Sequence, residues 1–191
     1  IDTPNFKEEF ELEIKEFAKI SNKKSKGFRA PTFSLNESSS WLIDILEKND
    51  YIYDSSIVPS KTGMYGVPSA PKFPYKISSK SIDSEDPDGK ILEFPILTTK
   101  LLGRKIPVGG GFYLRTIPLK IIKNAIRNME KENFPSTFYI HSWELQPENM
   151  PRINLPKKDY FITYHNLEKA KKKMTELLKE FTFTSFEKFL K

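Results

Sequence analysis

Three side chains suited to acid–base or electrostatic chemistry fall at predicted strand ends. Arg29 follows a short extended piece in "GFRAPTFSL", and Asp54 ends the strand in "YIYDSSIVP". His141 follows the predicted strand Thr137–Ile140 in "FYIHSWELQP". The carboxyl ends of parallel strands are where α/β folds gather functional groups. A cation, a carboxylate and an acid or base could therefore share one pocket.

Each of the three also has a structural interpretation. Arg29 could be a surface cation, and Asp54 could cap a turn together with Ser55 and Ser56. His141 could be a core histidine beside Trp143. The residues alone leave these alternatives open.

Other chemistries are excluded or poorly supported. The chain has no cysteine, so disulfides, thiol catalysis and cysteine-ligated metals are excluded. It has two histidines, and they form no His-x-x-x-His pair, so the sequence shows no complete metal site. The second, His165, stands at a predicted helix start and is interpreted as structural. Gly109–Gly111 lacks the ending of a phosphate loop and indicates a tight turn that lets backbone approach a ligand or strand.

The order of predicted elements is helix, strand, helix, strand, long loop, strand, helix, strand, helix, strand. This alternation predicts an α/β fold with mainly parallel strands in a single domain over 1–191. The first helix is capped by Thr3 and has an apolar stripe, and further helices start at Asn36, at Pro118 and at Thr163 or Asn166. Residues 57–90 are predicted to be a long irregular region, whose aromatic and proline residues, Tyr65 among them, could line a cleft.

The charge pattern points to no nucleic-acid or membrane partner. The net charge is +6, and its densest basic run, Lys169–Glu180, has the spacing of a solvated helix face. Nucleic-acid binding through that helix is a weaker alternative, because no zinc-finger or aromatic RNA-binding signature accompanies it. No apolar run has the length of a membrane span.

Six stretches, read in order, resemble polysaccharide deacetylases of the NodB-homology type, in particular the branch found with exosortase and exopolysaccharide gene clusters. They follow one another between positions 27 and 147: "GFRAPTFSL", "YIYDSSIVP", "YGVPSAPKFP", "ILEFPILT", "GRKIPVGGGFYLR" and "FYIHSWELQP". The resemblance implies a distorted, incomplete (β/α) barrel. It also implies a zinc-dependent or other metal-dependent hydrolase that removes N-acetyl groups from an amino-sugar polymer.

The resemblance carries roles onto matching residues. Arg29 corresponds to the arginine that orients the catalytic base, and Pro31 to the proline beside it. His141 corresponds to the general acid, and Ile140 to the apolar residue of the acetate pocket. Asp54 lies where a further motif supplies a carboxylate near that acid. Trp143 and Glu144 are typical of this branch, and both are expected to shape the substrate cleft.

The family's paired aspartates and His-x-x-x-His ligands precede the arginine motif, and this sequence does not contain them. We therefore expect the metal ligands to lie upstream of Ile1, and we expect these 191 residues alone to bind no catalytic metal and to be inactive. The alternative is a non-catalytic carbohydrate-binding or assembly protein that kept the barrel. The expected location is cytoplasmic or cell-envelope associated, and the sequence does not give the oligomeric state.

Overall fold

The structure is a computed structural model that describes residues 6–191. It has a four-stranded sheet with the strand order β1-β2-β4-β3. The strands are β1 (Gly27–Phe28), β2 (Tyr53–Asp54), β3 (Tyr75–Ile77) and β4 (Ile91–Glu93). β1, β2 and β4 are parallel, whereas β3 is antiparallel to β4. The prediction of an α/β fold with mainly parallel strands is therefore confirmed, although no closed barrel is formed within residues 6–191.

Eight α-helices surround the strands in the described part of the chain. Their bounds are α1 (Phe6–Ser21), α2 (Trp41–Lys48), α3 (Gly111–Thr116), α4 (Leu119–Lys131), α5 (Ser142–Leu145), α6 (Lys157–Tyr164), α7 (Leu167–Glu180) and α8 (Phe186–Phe189). Short 3₁₀ turns cover Pro31–Phe33, Glu37–Ser39 and Pro147–Asn149. None of the helices within residues 6–191 is long and apolar enough to cross a membrane.

Two apolar clusters hold these elements together. The first packs α1 and α2 against the sheet, with Leu46, Ile57 and Ile91 fully or almost fully buried. The second surrounds α4, whose apolar stripe buries Ile122 and Ile126 against other core residues. Burial of each such side chain stabilises the fold by about 1.5–3 kcal/mol. The apolar stripe of α4, which begins directly after Pro118 as predicted, is thus its core face.

Several predicted boundaries are corrected. Residues 57–90 are not entirely irregular, because β3 lies within them. A hairpin of β5 (Thr98–Leu101) and β6 (Arg104–Pro107) was not predicted. The alternation of apolar and polar residues that would indicate strands is missing, because both strands are largely exposed and carry charged residues. The stretch 181–185, predicted as a strand or turn, forms no strand.

The segment predicted as a strand before His141 is extended but forms only isolated parallel bridges, Ile96 with Thr137 and Gly110 with Tyr139. The residues that follow it form α5, a 3₁₀ turn and then α6.

The predicted helix starts at Asn36 and Asn166 can be compared with the structure. Asn36 caps the 3₁₀ turn that precedes α2, because its side chain accepts from the backbone N–H of Ser38. Asn166 precedes α7, which ends at Glu180 as predicted. The capping residue proposed for α1, Thr3, lies outside the described residues.

Candidate active site

A cleft of about 580 Å³ opens at the carboxyl ends of the strands. Arg29 and His141, which are far apart in sequence, both line it. The other lining residues of most interest are Pro31, Phe33, Tyr65, Phe112, Tyr113, Arg115, Tyr139, Trp143, Glu144 and Ile162. The size is typical of a small-molecule or oligomer site, and about a third of the lining residues carry an aromatic ring.

Arg29 is held in place by the turn that follows β2. Its Nε donates to the carbonyl oxygen of Ser55 at 2.7 Å, and its Nη2 donates to the Ser55 hydroxyl at 2.6 Å. That hydroxyl in turn donates to the carbonyl of Phe94 at 2.7 Å. Because β1, β2 and β4 are parallel neighbours, the residues after each strand meet here. The fork geometry of a guanidinium fits this double contact, which a lysine could not make.

The Arg29 guanidinium also faces aromatic rings. Its Cζ lies 4.7 Å from the ring centroid of Tyr139 and 5.7 Å from that of Phe33. Burial lowers the pKa of Arg29, while nearby Glu93, Tyr139 and Asp54 raise it. Arginine keeps its charge in proteins, so the cleft contains a fixed cation among π-systems.

His141 presents its side chain at the cleft surface and is exposed. Its ring stacks on Trp143 with centroids 5.3 Å apart and meets Tyr139 edge-on at 4.8 Å. The Tyr139 hydroxyl lies 3.4 Å from Nδ1, a long contact between the two side chains. An imidazole positioned in this way can give a proton to, or take one from, a bound molecule.

The backbone at His141 is fixed by a buried ion pair. The Glu144 carboxylate accepts from the backbone N–H of His141 at 3.0 Å with Oε2. Its Oε1 accepts from Nε of Arg115 at 3.1 Å, and both side chains are nearly inaccessible to solvent. Arg115 also donates to the carbonyl oxygens of Ile162, Thr163 and His165 at 2.8–3.2 Å.

The three-glycine turn makes this arrangement possible. A Cβ on Gly111 would overlap the Glu144 carboxylate, and a Cβ on Gly109 would meet the carbonyl of Thr137 and the side chain of Leu97. The predicted close approach of backbone is therefore present, and its neighbours are protein groups.

Asp54 does not line the cleft. It is fully buried on β2, where the strand register places it directly beside Glu93 of β4. Its carboxylate accepts from the hydroxyl of Ser56 at 2.8 Å and from the Ser56 backbone N–H at 3.1 Å. The Ser56 hydroxyl accepts from the backbone N–H of Ala30 at 2.7 Å, which links Asp54 to the residue after Arg29.

Asp54 and Glu93 form a carboxyl pair that is fully buried from solvent. Burial raises the pKa of both groups, and the charge of Asp54 raises the pKa of Glu93 further. Glu93 Oε1 accepts from the backbone N–H of Ile57 at 2.9 Å. Two neighbouring carboxyl groups in an apolar site cannot both ionise, so we assign the shared proton to Glu93.

Of the remaining predicted site residues, three line the cleft and one does not. Pro31, Tyr65 and Trp143 line the cleft, whereas Ile140 packs against the second apolar cluster. Glu144, which was expected to shape the cleft, lines it, and so does Tyr113, for which the sequence suggested no role. Burial and the neighbouring hydroxyl of Tyr65 raise the pKa of Tyr113, so this phenol is neutral. Tyr113 lies in a stretch where aromatic residues follow glycine, which is the signal that could have indicated it.

The described residues do not fit a catalytic zinc site. Residues 6–191 contain no group of three or more His, Cys, Asp or Glu side chains that could hold a metal. The cleft offers the imidazole of His141 and the carboxylate of Glu144, but both Glu144 oxygens are already used by protein donors. We therefore assign no step to a metal held by this part of the chain.

The fold and the cleft define a mixed α/β protein with an aromatic, cationic site at its strand ends. Residues 55–191 match a family described as a domain of unknown function, DUF3473. The chain belongs to this family. Neither the curated proteins nor the solved structures include a significant match.

Proposed function

We propose that the chain supplies the acid and substrate-binding side of a metal-dependent hydrolase that removes N-acetyl groups from an amino-sugar polymer. The observation that supports this most directly is the shared cleft of Arg29 and His141. The resemblance to NodB-type deacetylases assigns a role to both, and aromatic walls suit the apolar faces of sugar rings. In the same proposal the sheet is part of a distorted, incomplete (β/α) barrel.

The chemistry assigned to these residues is limited and specific. In amide hydrolysis, water oxygen adds to the acetyl carbon, the C–N bond breaks, and the leaving nitrogen takes a proton. We assign that proton to Nε2 of His141, whose ring is held by Tyr139 and Trp143. Arg29 supplies positive charge beside the reacting groups. The groups that activate water are assigned to chain outside these 191 residues, together with the zinc or other divalent metal.

Activity can be tested with a longer polypeptide extended toward the N-terminus. Zinc and an N-acetylglucosamine oligomer are added, and released acetate is measured. We expect acetate from the longer form and none from residues 1–191. His141→Ala in the longer form should reduce turnover about 100-fold or more while oligomer binding is kept. Full turnover by that variant would disprove the acid role.

Binding can be tested on the 191-residue chain itself. The chain has two tryptophans, and Trp41 lies in the first apolar cluster. Trp41→Phe therefore leaves Trp143 in the cleft as the sole indole reporter. We expect its fluorescence to change and saturate with an N-acetylglucosamine tetramer. A flat titration, together with no heat of binding by calorimetry, would contradict the proposed substrate class.

A non-catalytic carbohydrate-binding or assembly protein is the second candidate. It is favoured by an aromatic cleft that lacks a metal donor set among residues 6–191. Oligomer binding by both the short and the long form, with no acetate from either, would select this alternative. Location in the cytoplasm or at the cell envelope stays a prediction under both.

A further inference from the structure

Helix α6 carries an unusual run of exposed apolar side chains. Tyr160, Phe161 and Ile162 are consecutive and are 45%, 49% and 37% exposed. Three exposed apolar residues in a row are unfavourable unless they bind something. The only fully buried side chain of the helix is Tyr164. The exposure of this run therefore calls for a ligand or partner.

An unbroken series of contacts joins His141 to this run. His141 stacks on Trp143, and the Arg115 guanidinium carbon lies 5.9 Å from the Trp143 ring centroid. The same carbon lies 5.7 Å from the ring centroid of Phe112. Phe112 in turn lies 6.3 Å from Phe161, centroid to centroid. Phe112 lines the cleft, so the exposed ring of Phe161 continues the cleft wall outward.

The spacing between the two ends is fixed by buried contacts. The Glu144 carboxylate that holds the backbone of His141 also binds Arg115. Arg115 donates to the carbonyl oxygen of Ile162, the residue after Phe161, at 3.0 Å. The buried ion pair of Glu144 and Arg115 thus binds the backbone at His141 and the backbone next to Phe161. A rigid link of this kind suits a ligand that touches both positions at once.

We propose that Phe112 and Phe161 form an outer subsite for a further sugar ring of the polymer, beyond the ring that reacts at His141. This inference rests on the proposed function and deepens it, because it makes a chain of sugars the substrate and a single sugar a poor one. Continuity with the cleft through Phe112 is what favours a sugar chain over a protein or membrane partner.

Length dependence of binding tests the subsite. The 191-residue chain is titrated with the di- and tetrasaccharide of N-acetylglucosamine by calorimetry. We expect the tetrasaccharide to bind more tightly. Phe161→Ala should weaken tetrasaccharide binding about fivefold and leave disaccharide binding unchanged. Phe161→Tyr, which keeps a ring, should restore the tetrasaccharide affinity.

Tyr160→Ala is the matched control, because Tyr160 is about equally exposed on the same helix, but its ring meets Tyr164, whereas the ring of Phe161 meets the cleft residue Phe112. It should leave both affinities unchanged. Equal losses from Tyr160→Ala and Phe161→Ala would overturn the subsite, as would equal affinity of the wild type for both lengths.

Two further outcomes separate the subsite from the proposed function. Binding of neither oligomer would remove the carbohydrate function and the subsite together. Retained oligomer binding with a loss of anionic-vesicle binding in Phe161→Ala would assign the exposed run to a membrane surface. That result would overturn the subsite alone.

Discussion

Glu144 accepts from two donors that belong to different parts of the fold. One carboxylate oxygen accepts from the backbone N–H of His141, and the other accepts from Nε of Arg115. Arg115 carries the connection onward to the end of α6. A single buried carboxylate thus sets the position of the candidate proton donor relative to one wall of the cleft.

Removal of Glu144 should be strongly destabilising. Glu144→Ala leaves the Arg115 guanidinium buried without its countercharge, which typically costs about 3–5 kcal/mol. Chemical denaturation followed by far-UV circular dichroism gives the free energy of unfolding. Glu148→Ala is the control, because Glu148 is exposed a turn away, and its change should stay within about 0.5 kcal/mol. Equal effects of the two substitutions would contradict the assigned ion pair.

Gly111→Ala tests the same contact from the other side. The added methyl would overlap the Glu144 carboxylate, which is held by two donors and cannot move without losing one. We expect a loss of about 1–3 kcal/mol in the free energy of unfolding. The backbone amide signal of His141 in a nitrogen-15 spectrum should also shift, because its acceptor moves.

Gly63→Ala is the control for that experiment, since a Cβ at Gly63 meets no atom within 4 Å. It should leave both the stability and the His141 amide signal unchanged. A Gly111→Ala protein as stable as the Gly63→Ala protein would show that Glu144 can move freely.

The sequence predicted the parts of the site that depend on strand ends. Arg29 and His141 each follow an extended segment, and parallel pairing brings such positions to one edge of a sheet. Asp54 does not reach that edge, because it lies one residue too early in the chain. It is the last residue of β2, so its side chain stays in the buried row beside Glu93, and Ser55 occupies the position that reaches Arg29.

Features that depend on pairing between distant segments were not predictable. The bond between Glu144 and Arg115 joins residues 29 positions apart, and neither has a local pattern that indicates burial. The same holds for β3, whose partner β4 follows a polar loop over residues 78–90. Periodicity reports which face of an element is apolar, but it does not report which charged residues meet across elements.

The Asp54–Glu93 pair should make stability depend on pH. The folded-state pKa of Glu93 is raised well above that of the unfolded chain, because burial and the charge of Asp54 oppose ionisation. The folded state therefore holds a proton that the unfolded chain releases above about pH 4.5. The contribution of this proton to stability is present below that pH and is lost as the pH rises toward the folded pKa. The slope is at most about 1.4 kcal/mol per pH unit.

Glu93→Gln removes that dependence and keeps the shape of the protonated acid. Its amide can donate to Asp54 and accept from the backbone N–H of Ile57. The free energy of unfolding of the wild type minus that of Glu93→Gln should therefore decrease as the pH rises above about 5. Parallel curves for the two proteins would show that the pair releases no proton on unfolding. Arg29, Tyr75 and Asp83 also act on this pair or on its neighbours, and all three are unchanged in the variant.

The basic helix α7 contains one lysine with a structural role. Lys173 donates from Nζ to the carbonyl oxygens of Leu114 and Ile117 at 2.8 and 2.7 Å, so it caps the end of α3. Burial lowers its pKa, as does neighbouring Lys169. Lys173→Met should lower the free energy of unfolding by about 1–2 kcal/mol, because it leaves carbonyls of α3 without their charged donor.

The exposed neighbour Lys172 provides the matched control. Lys172→Met removes the same charge from the same helix and should change the free energy of unfolding by less than about 0.5 kcal/mol. Both variants reduce the positive charge of α7 equally, so a nucleic-acid surface would make both weaken binding of a single-stranded oligonucleotide alike. We expect no salt-sensitive oligonucleotide binding by the wild type and a stability loss in Lys173→Met alone. Equal stability of the two variants would disprove the capping role of Lys173.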